Sequence, residues 1–272
     1  ETTMPGQLWL LPVPLGADSD PIRVLPADTL AAMRALDYFI VENAKTARAF
    51  LKAAGITAPL QSLDLRELNE HTPRERIAEL LAPILAGRDG GLLSEAGCPA
   101  VADPGAELVA AAHAAGITVK PMIGPSSILL ALMASGLGGQ RFAFVGYLPA
   151  AASERLPALR ALEQRSARQA ETVLMIETPY RTQALLDAAL QALAPDTQLL
   201  LAASLTLPDE RIEMKTVAQW RRSPPLLPKA PTVFGLLAAP LAPPRQSAAH
   251  GARERSNGAP ARKAPRTGPA RR

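Results

Sequence analysis

The residues best placed to do chemistry gather in one stretch, Ser94-Glu95-Ala96-Gly97-Cys98-Pro99-Ala100-Val101-Ala102-Asp103-Pro104-Gly105. It sets two carboxylates and two glycines directly after a buried apolar run. Small residues let a backbone approach a ligand closely. A connection with no ligand to hold commonly has about two to six residues, so this length reads either as a binding loop or as a long structural connection. Two shorter loops share its texture, Pro12-Val13-Pro14-Leu15-Gly16 and Gly124-Pro125-Ser126-Ser127. In an open α/β sheet, loops beyond the carboxyl ends of strands are where ligands bind.

Other chemistries find little support. Cys98 sits between glycine and proline with no histidine at a motif distance, so it reads as a contact or packing residue and not a nucleophile. His71, His113 and His250 are scattered, and no metal site is expected. His113 reads as a surface residue of a helix, and Asp20 as a turn residue before Pro21. No Gly-x-Gly-x-x-Gly follows the first strand, and Gly136-Leu137-Gly138-Gly139 follows a helix and reads as a cap and turn. No phosphate-binding Gly-Lys-Ser/Thr loop occurs.

The elements that must carry these loops follow from patterning. Residues 7–11, 37–42, 90–94 and 117–122 predict strands, and residues 106–115 and 127–135 predict helices closed by Gly116 and Gly136. Thr72-Pro73-Arg74-Glu75 has capping-box spacing, predicting a helix from there to about Ala86. Strand and helix in alternation imply parallel strands with right-handed crossovers. After Gly139 the texture changes. Residues 142–148, 172–177, 199–205 and 232–238 predict strands of a mixed sheet, and residues 156–168 and 182–193 predict amphipathic helices. The expected organisation is α/β: an N-terminal domain with a parallel sheet over residues 7–119, and a C-terminal domain with a mixed sheet over 120–240. Residues 241–272 complete it as a disordered basic tail.

Composition bounds the rest. The chain has 272 residues, enough for two domains with real cores. Its longest apolar runs fall far short of the roughly 20 residues that span a bilayer, and no export signal is visible near Glu1. No membrane partner is expected. Cys98 is the single cysteine, which excludes an internal disulfide and fits a reducing cytoplasm. The net charge of +4 is uneven: from Pro240 onward eight basic residues face one acid, Glu254, so the tail is +7 and the remainder −3. The tail reads either as a phosphate-binding segment or as a solubilising extension.

Six motifs occur in a fixed order: Leu10-Leu11-Pro12-Val13-Pro14-Leu15-Gly16; Glu42-Asn43-Ala44-Lys45; residues 94–105; Ile123-Gly124-Pro125-Ser126-Ser127; Gly146-Tyr147-Leu148-Pro149; and Glu177-Thr178-Pro179-Tyr180-Arg181. In this order they resemble the tetrapyrrole methylase superfamily, and within it the branch that methylates a cytidine ribose 2′-hydroxyl of small-subunit ribosomal RNA. The resemblance implies two α/β domains with S-adenosylmethionine in the cleft between them, and a homodimer. It implies cofactor contacts at Pro14, Glu95, Gly97, Cys98, Pro99, Val101, Asp103, Ser126, Ser127, Leu148, Ala203 and Pro231. It also implies ribosomal RNA or the small ribosomal subunit as partner.

The chain departs from that branch in places. The branch typically reads Ser-Asp-Ala-Gly-Thr-Pro where this chain has Glu95 and Cys98, and Glu-Asp-Thr-Arg where it has Glu42-Asn43-Ala44-Lys45. It reads Pro-His-Arg where Tyr180 stands, and Leu-Thr-Lys where Leu205-Thr206-Leu207 stands. The carboxylate of the cofactor loop is kept, while polar groups on the substrate side change. Methyl transfer is an in-line displacement that depends on alignment, and a ribose hydroxyl gains from a base. Glu42 and Lys45 are the candidates for that role, with Arg181 orienting a phosphate or carboxylate. A small-molecule, tetrapyrrole-type methyltransferase and a cofactor-binding paralogue with impaired catalysis are the alternatives.

Overall fold

The computed structural model describes residues 4–240, and the tail expected at 241–272 lies outside the described residues. The first half builds β1 (Gln7–Leu11), α1 (Pro21–Val24), α2 (Ala27–Arg34), β2 (Tyr38–Val41), α3 (Ala44–Ala53), β3 (Asp64–Glu67), α4 (Arg76–Leu85), β4 (Gly90–Leu93), α5 (Gly105–Ala114) and β5 (Thr118–Pro121). Its five strands lie in the order β3-β2-β4-β1-β5, and every pairing is parallel. Side chains alternate across the sheet. Leu11, Phe39, Val41 and Leu93 meet Leu30, Met33, Ala47 and Leu51 of α2 and α3 on one face. Leu8, Tyr38, Ile40 and Leu92 meet Leu80, Leu81, Ile84, Leu108 and Ala112 of α4 and α5 on the other. Covered on both faces, such strands are short continuous apolar runs.

The second half adds α6 (Ser127–Ser135), β6 (Phe142–Phe144), α7 (Ala152–Gln169), β7 (Thr172–Glu177), α8 (Thr182–Ala192), β8 (Gln198–Ala203), β9 (Arg211–Thr216), α9 (Val217–Arg222) and β10 (Thr232–Leu237). The order is β6-β7-β10-β8-β9. Only β6 and β7 pair in parallel, so the sheet is mixed as expected. Leu199, Leu201, Phe234 and Leu236 pack under α7, α8 and α9. The opposite face, with Leu200, Ala202 and Val233, receives Ala131 of α6. The α6 helix is capped by Ser126, whose Oγ accepts from the Leu129 amide at 3.4 Å, and it ends at Gly136 with φ +68°.

Two local readings change. Thr72 does not open a capping box: its Oγ1 accepts from the Asn69 amide at 2.9 Å, closing a turn, and α4 starts at Arg76. The strand expected to Leu148 stops at Phe144 because Gly146 turns the chain with φ +70°. The chain passes from β5 to α6 over residues 122–126, and α6 packs on the second sheet. Among the described residues no helix is long and apolar enough to cross a membrane.

Candidate active site

Because the first sheet is all parallel, the loops after β1, β2, β4 and β5 open at one end. They are clasped together. Val13 and Gly97 exchange backbone hydrogen bonds of 2.9 and 3.2 Å, and the Cys98 thiol donates to the Pro125 carbonyl at 3.5 Å. Gly97 holds φ +73°, which a glycine adopts without strain. At Gly124 a Cβ would lie 2.2 Å from the Cβ of Pro12, so only glycine lets these two loops close against each other.

Beyond the clasp lies a cavity of about 310 Å³ between the strand ends of both sheets. The long loop contributes Glu95, Gly97, Cys98, Val101 and Asp103, and the start of α6 contributes Ser126 and Ser127. From the second half come Tyr147, Glu177, Ser204, Leu207 and Pro231, among others. Four of the five described non-glycine residues with positive φ are Ala100, Ala102, Ser204 and Thr206, and they belong to the loops that frame this cavity. Each such conformation costs about 1–3 kcal/mol and persists where the surroundings dictate it.

The electrostatics are one-sided. Glu42, Glu95, Asp103 and Glu177 line the cavity, and among the described residues no lysine, arginine or histidine does. Asp103 Oδ1 accepts from the Ala100 and Gly105 amides, each at 2.8 Å, which shapes the loop. Its Oδ2 is buried without a partner. Burial holds the proton affinity of Asp103 above the ordinary carboxylate range, against those two amides. Glu177 Oε1 accepts from the Thr178 amide at 2.7 Å and from the Arg181 guanidinium, while its Oε2 is likewise buried and unpartnered. Glu95 accepts from the Thr46 hydroxyl at 2.6 Å. Burial first, then the charges of Asp103 and Glu95, raise Glu42 above its usual range. Burial and Asp103 also raise the Cys98 thiol, which stays protonated. Crowded carboxylates with unsatisfied oxygens fit a cationic ligand, which relieves their repulsion and completes their coordination.

Most of the expected contact residues meet here: Glu95, Gly97, Cys98, Val101, Asp103, Ser126, Ser127 and Pro231 all line the cavity. Pro14 lines an adjoining chamber instead. Pro99 is buried in the loop, and Leu148 and Ala203 are buried in the second core beside the cavity. Of the expected catalytic residues, Glu42 lines both spaces. Lys45 is exposed on the first turn of α3 and lines neither. Arg181 stands behind Glu177, bonding its Oε1 at 2.7 Å. Asn43 caps α3 by accepting from the Lys45 and Thr46 amides at 2.9 and 3.2 Å. Tyr180 is exposed under the Lys229 ammonium, 5.6 Å from its ring centroid, and Leu207 packs against Gly16. Glu177, Thr46 and Ser204 were missed as site residues: Glu177 and Ser204 gain a role only where the two halves meet, and Thr46 only where α3 meets the long loop.

Strand-end loops clasped over a carboxylate-lined cleft between a parallel and a mixed sheet define a two-domain α/β ligand-binding protein. The pattern of the tetrapyrrole (corrin/porphyrin) methylases matches residues 25–220, and the chain belongs to that family, which makes it a methyltransferase. The protein named ribosomal RNA small subunit methyltransferase I of Escherichia coli is 31% identical over 214 residues, 79% of this chain and 70% of its own. The protein of the same name from Mesorhizobium japonicum is 35% identical over 209 residues, 77% of this chain and 66% of its own. The fold is shared with a conserved hypothetical protein of Aeropyrum pernix (TM-score 0.61, 18% identity, 88% of this chain and 86% of that one). It is also shared with uroporphyrin-III C-methyltransferase of Thermus thermophilus (TM-score 0.53, 22% identity, 86% of this chain and 93% of that one).

Proposed function

We propose that this chain uses S-adenosylmethionine to methylate a ribose 2′-hydroxyl of small-subunit ribosomal RNA. The observation that carries the reading is the pair of buried, unpartnered carboxylate oxygens, Asp103 Oδ2 and Glu177 Oε2, in a cleft lined by no basic side chain of the described residues. When bound there, S-adenosylmethionine supplies a methyl group on a positively charged sulfur that departs as a neutral thioether. Asp103, Glu95 and Glu177 hold the cationic end, and the Ser126 and Ser127 hydroxyls add polar contacts from the start of α6. Arg181 fixes Glu177 in place. As the acceptor oxygen gains the methyl group it loses its proton, and Glu42 accepts that proton. The raised proton affinity of Glu42 suits it to this task. Lys45, exposed at the first turn of α3, meets the phosphate backbone.

The RNA half of the reading is supported by the names of the relatives and by the basic residues after Pro240. It is also supported by two exposed tyrosines, Tyr147 lining the cleft and Tyr180 beside it, since unpaired bases stack on aromatic rings. The resemblance extends the reading to a homodimer working in the cytoplasm, which sedimentation and fractionation check. Calorimetry should show S-adenosylmethionine binding to the purified chain, and no heat and no thermal shift would sink the cofactor assignment. Labelled methyl should then appear in small-subunit RNA of ribosomes from a strain lacking this protein. Label found only in a tetrapyrrole under the same conditions would replace the RNA assignment.

A further inference from the structure

A second cavity of about 280 Å³ adjoins the first. It lies between the loop after β1 and one side of α3, which presents Ala49, Phe50 and Ala53. Pro14, Val41 and Leu93 complete apolar walls. Leu15, Glu42, Ser94 and Glu95 line both cavities, so the two meet at a wall that carries carboxylates. Two further hydroxyl residues line this cavity, and that of Thr46 donates to Glu95. The other is Ser19, whose Oγ is buried with no hydrogen-bond partner. A buried hydroxyl left without a partner costs about 1–3 kcal/mol, which a ligand with a polar edge returns.

These features describe a site for a flat ring with apolar faces and a hydrogen-bonding edge. Ligand pockets run from about 300 to 1,000 Å³, so this chamber is at the small end, suited to a single heterocycle and too small for a tetrapyrrole macrocycle. Enzymes that modify nucleic acids take the target nucleotide out of its stack and hold the base between apolar or aromatic side chains. We propose that this second cavity is the acceptor subsite: it takes one unpaired nucleobase of an RNA strand, its ring against Phe50 and the alanine face of α3, its polar edge on Ser19. The inference rests on the reading of the larger cavity as the methyl-donor site. It adds the place and the chemistry of acceptor recognition, through Ser19, Ala49, Phe50 and Ala53, none of which the sequence motifs single out. A base seated here brings its sugar to the shared wall at Glu42, where the donor site begins.

Ala49 and Ala53 are exposed on α3, so larger side chains there fill the chamber without entering the core. In the full chain, Ala49→Trp should leave S-adenosylmethionine affinity within about twofold in calorimetry. It should raise KM for undermethylated small-subunit RNA at least tenfold. Ser19→Ala should raise the same KM about fivefold, the loss of one hydrogen bond of about 1 kcal/mol, with donor affinity unchanged. Ser19→Ala keeps the test open if the tryptophan variant does not fold. Unchanged KM in the folded variants, with donor binding intact, overturns this inference and leaves the donor site standing. Failure of the unaltered chain to bind the donor overturns the functional reading and the inference together.

Discussion

Glu42 is the residue on which the two cavities turn. Its carboxyl is raised by burial and by its acidic neighbours, so it is protonated, and useless as a base, at pH values where a free carboxylate has already ionised. Methyl transfer should therefore fall as pH drops through this raised value and level off above it. Glu42→Gln should lower kcat about 100-fold and erase that acid limb, leaving donor affinity within severalfold; pH–rate profiles of both proteins check this. Asp103 makes the opposite bargain with stability. Its folded proton affinity is raised by burial, so its contribution is fully present below the unfolded value and is lost as pH rises through the folded one. Near neutrality Asp103→Asn, which keeps the acceptor for Ala100 and Gly105, should raise the melting temperature, since it removes a carboxylate whose charged form burial disfavours. It should weaken donor binding about tenfold. Asp103→Ala should lose both. Glu95, Gly97 and Asp103 were legible in the sequence because a buried strand runs straight into them. Ser19, Thr46 and Glu177 were not, because Glu177 lies at the end of a strand in the other sheet and the Ser19 hydroxyl is exceptional only once burial is known.

At the scale of elements, the site is held by loops that lock against one another. Gly124 faces the Pro12 ring with no room for a methyl group. Gly124→Ala should cost about 2–3 kcal/mol, as overpacking commonly does, and should weaken donor binding by displacing the Ser126 loop; denaturant melts and calorimetry check both. The buried strands of the first sheet were readable as short apolar runs, because a parallel sheet covered on both faces demands them. β3, with the sequence Asp-Leu-Arg-Glu, carried no such signal: it is an edge strand, and Asp64 serves an ion-pair network with Arg66 and Arg88. β9 is the opposite edge case, where Arg211 and Lys215 both pair with Glu213 along a half-buried strand. Both were missed because edge strands are specified by their neighbours' unsatisfied backbone more than by their own hydropathy. Asn43 likewise departs from the relatives' pattern and still does a local job, capping α3.

For the whole molecule, charge divides unevenly: −3 before Pro240 and +7 after it. A body with an acidic cleft repels a polyanion, so on the proposed reading the attraction for RNA falls to the terminal arginines. Removing residues 241–272 should weaken RNA binding and flatten its dependence on salt, with donor affinity unchanged; filter binding over a salt series reads both, and an unaltered slope assigns the tail no contact. The shared wall has a consequence of its own. Leu15, Glu42, Ser94 and Glu95 belong to both cavities, so each ligand becomes part of the other's container and the two equilibria are linked. Whatever factor the donor lends to RNA affinity, RNA lends back to the donor. That factor changes with turnover: a cation among the cleft carboxylates offsets their repulsion of a polyanion, and the neutral thioether left behind does not. RNA affinity should rise with S-adenosylmethionine bound and not with its demethylated product, so the reactants enter as a pair and the products leave as strangers.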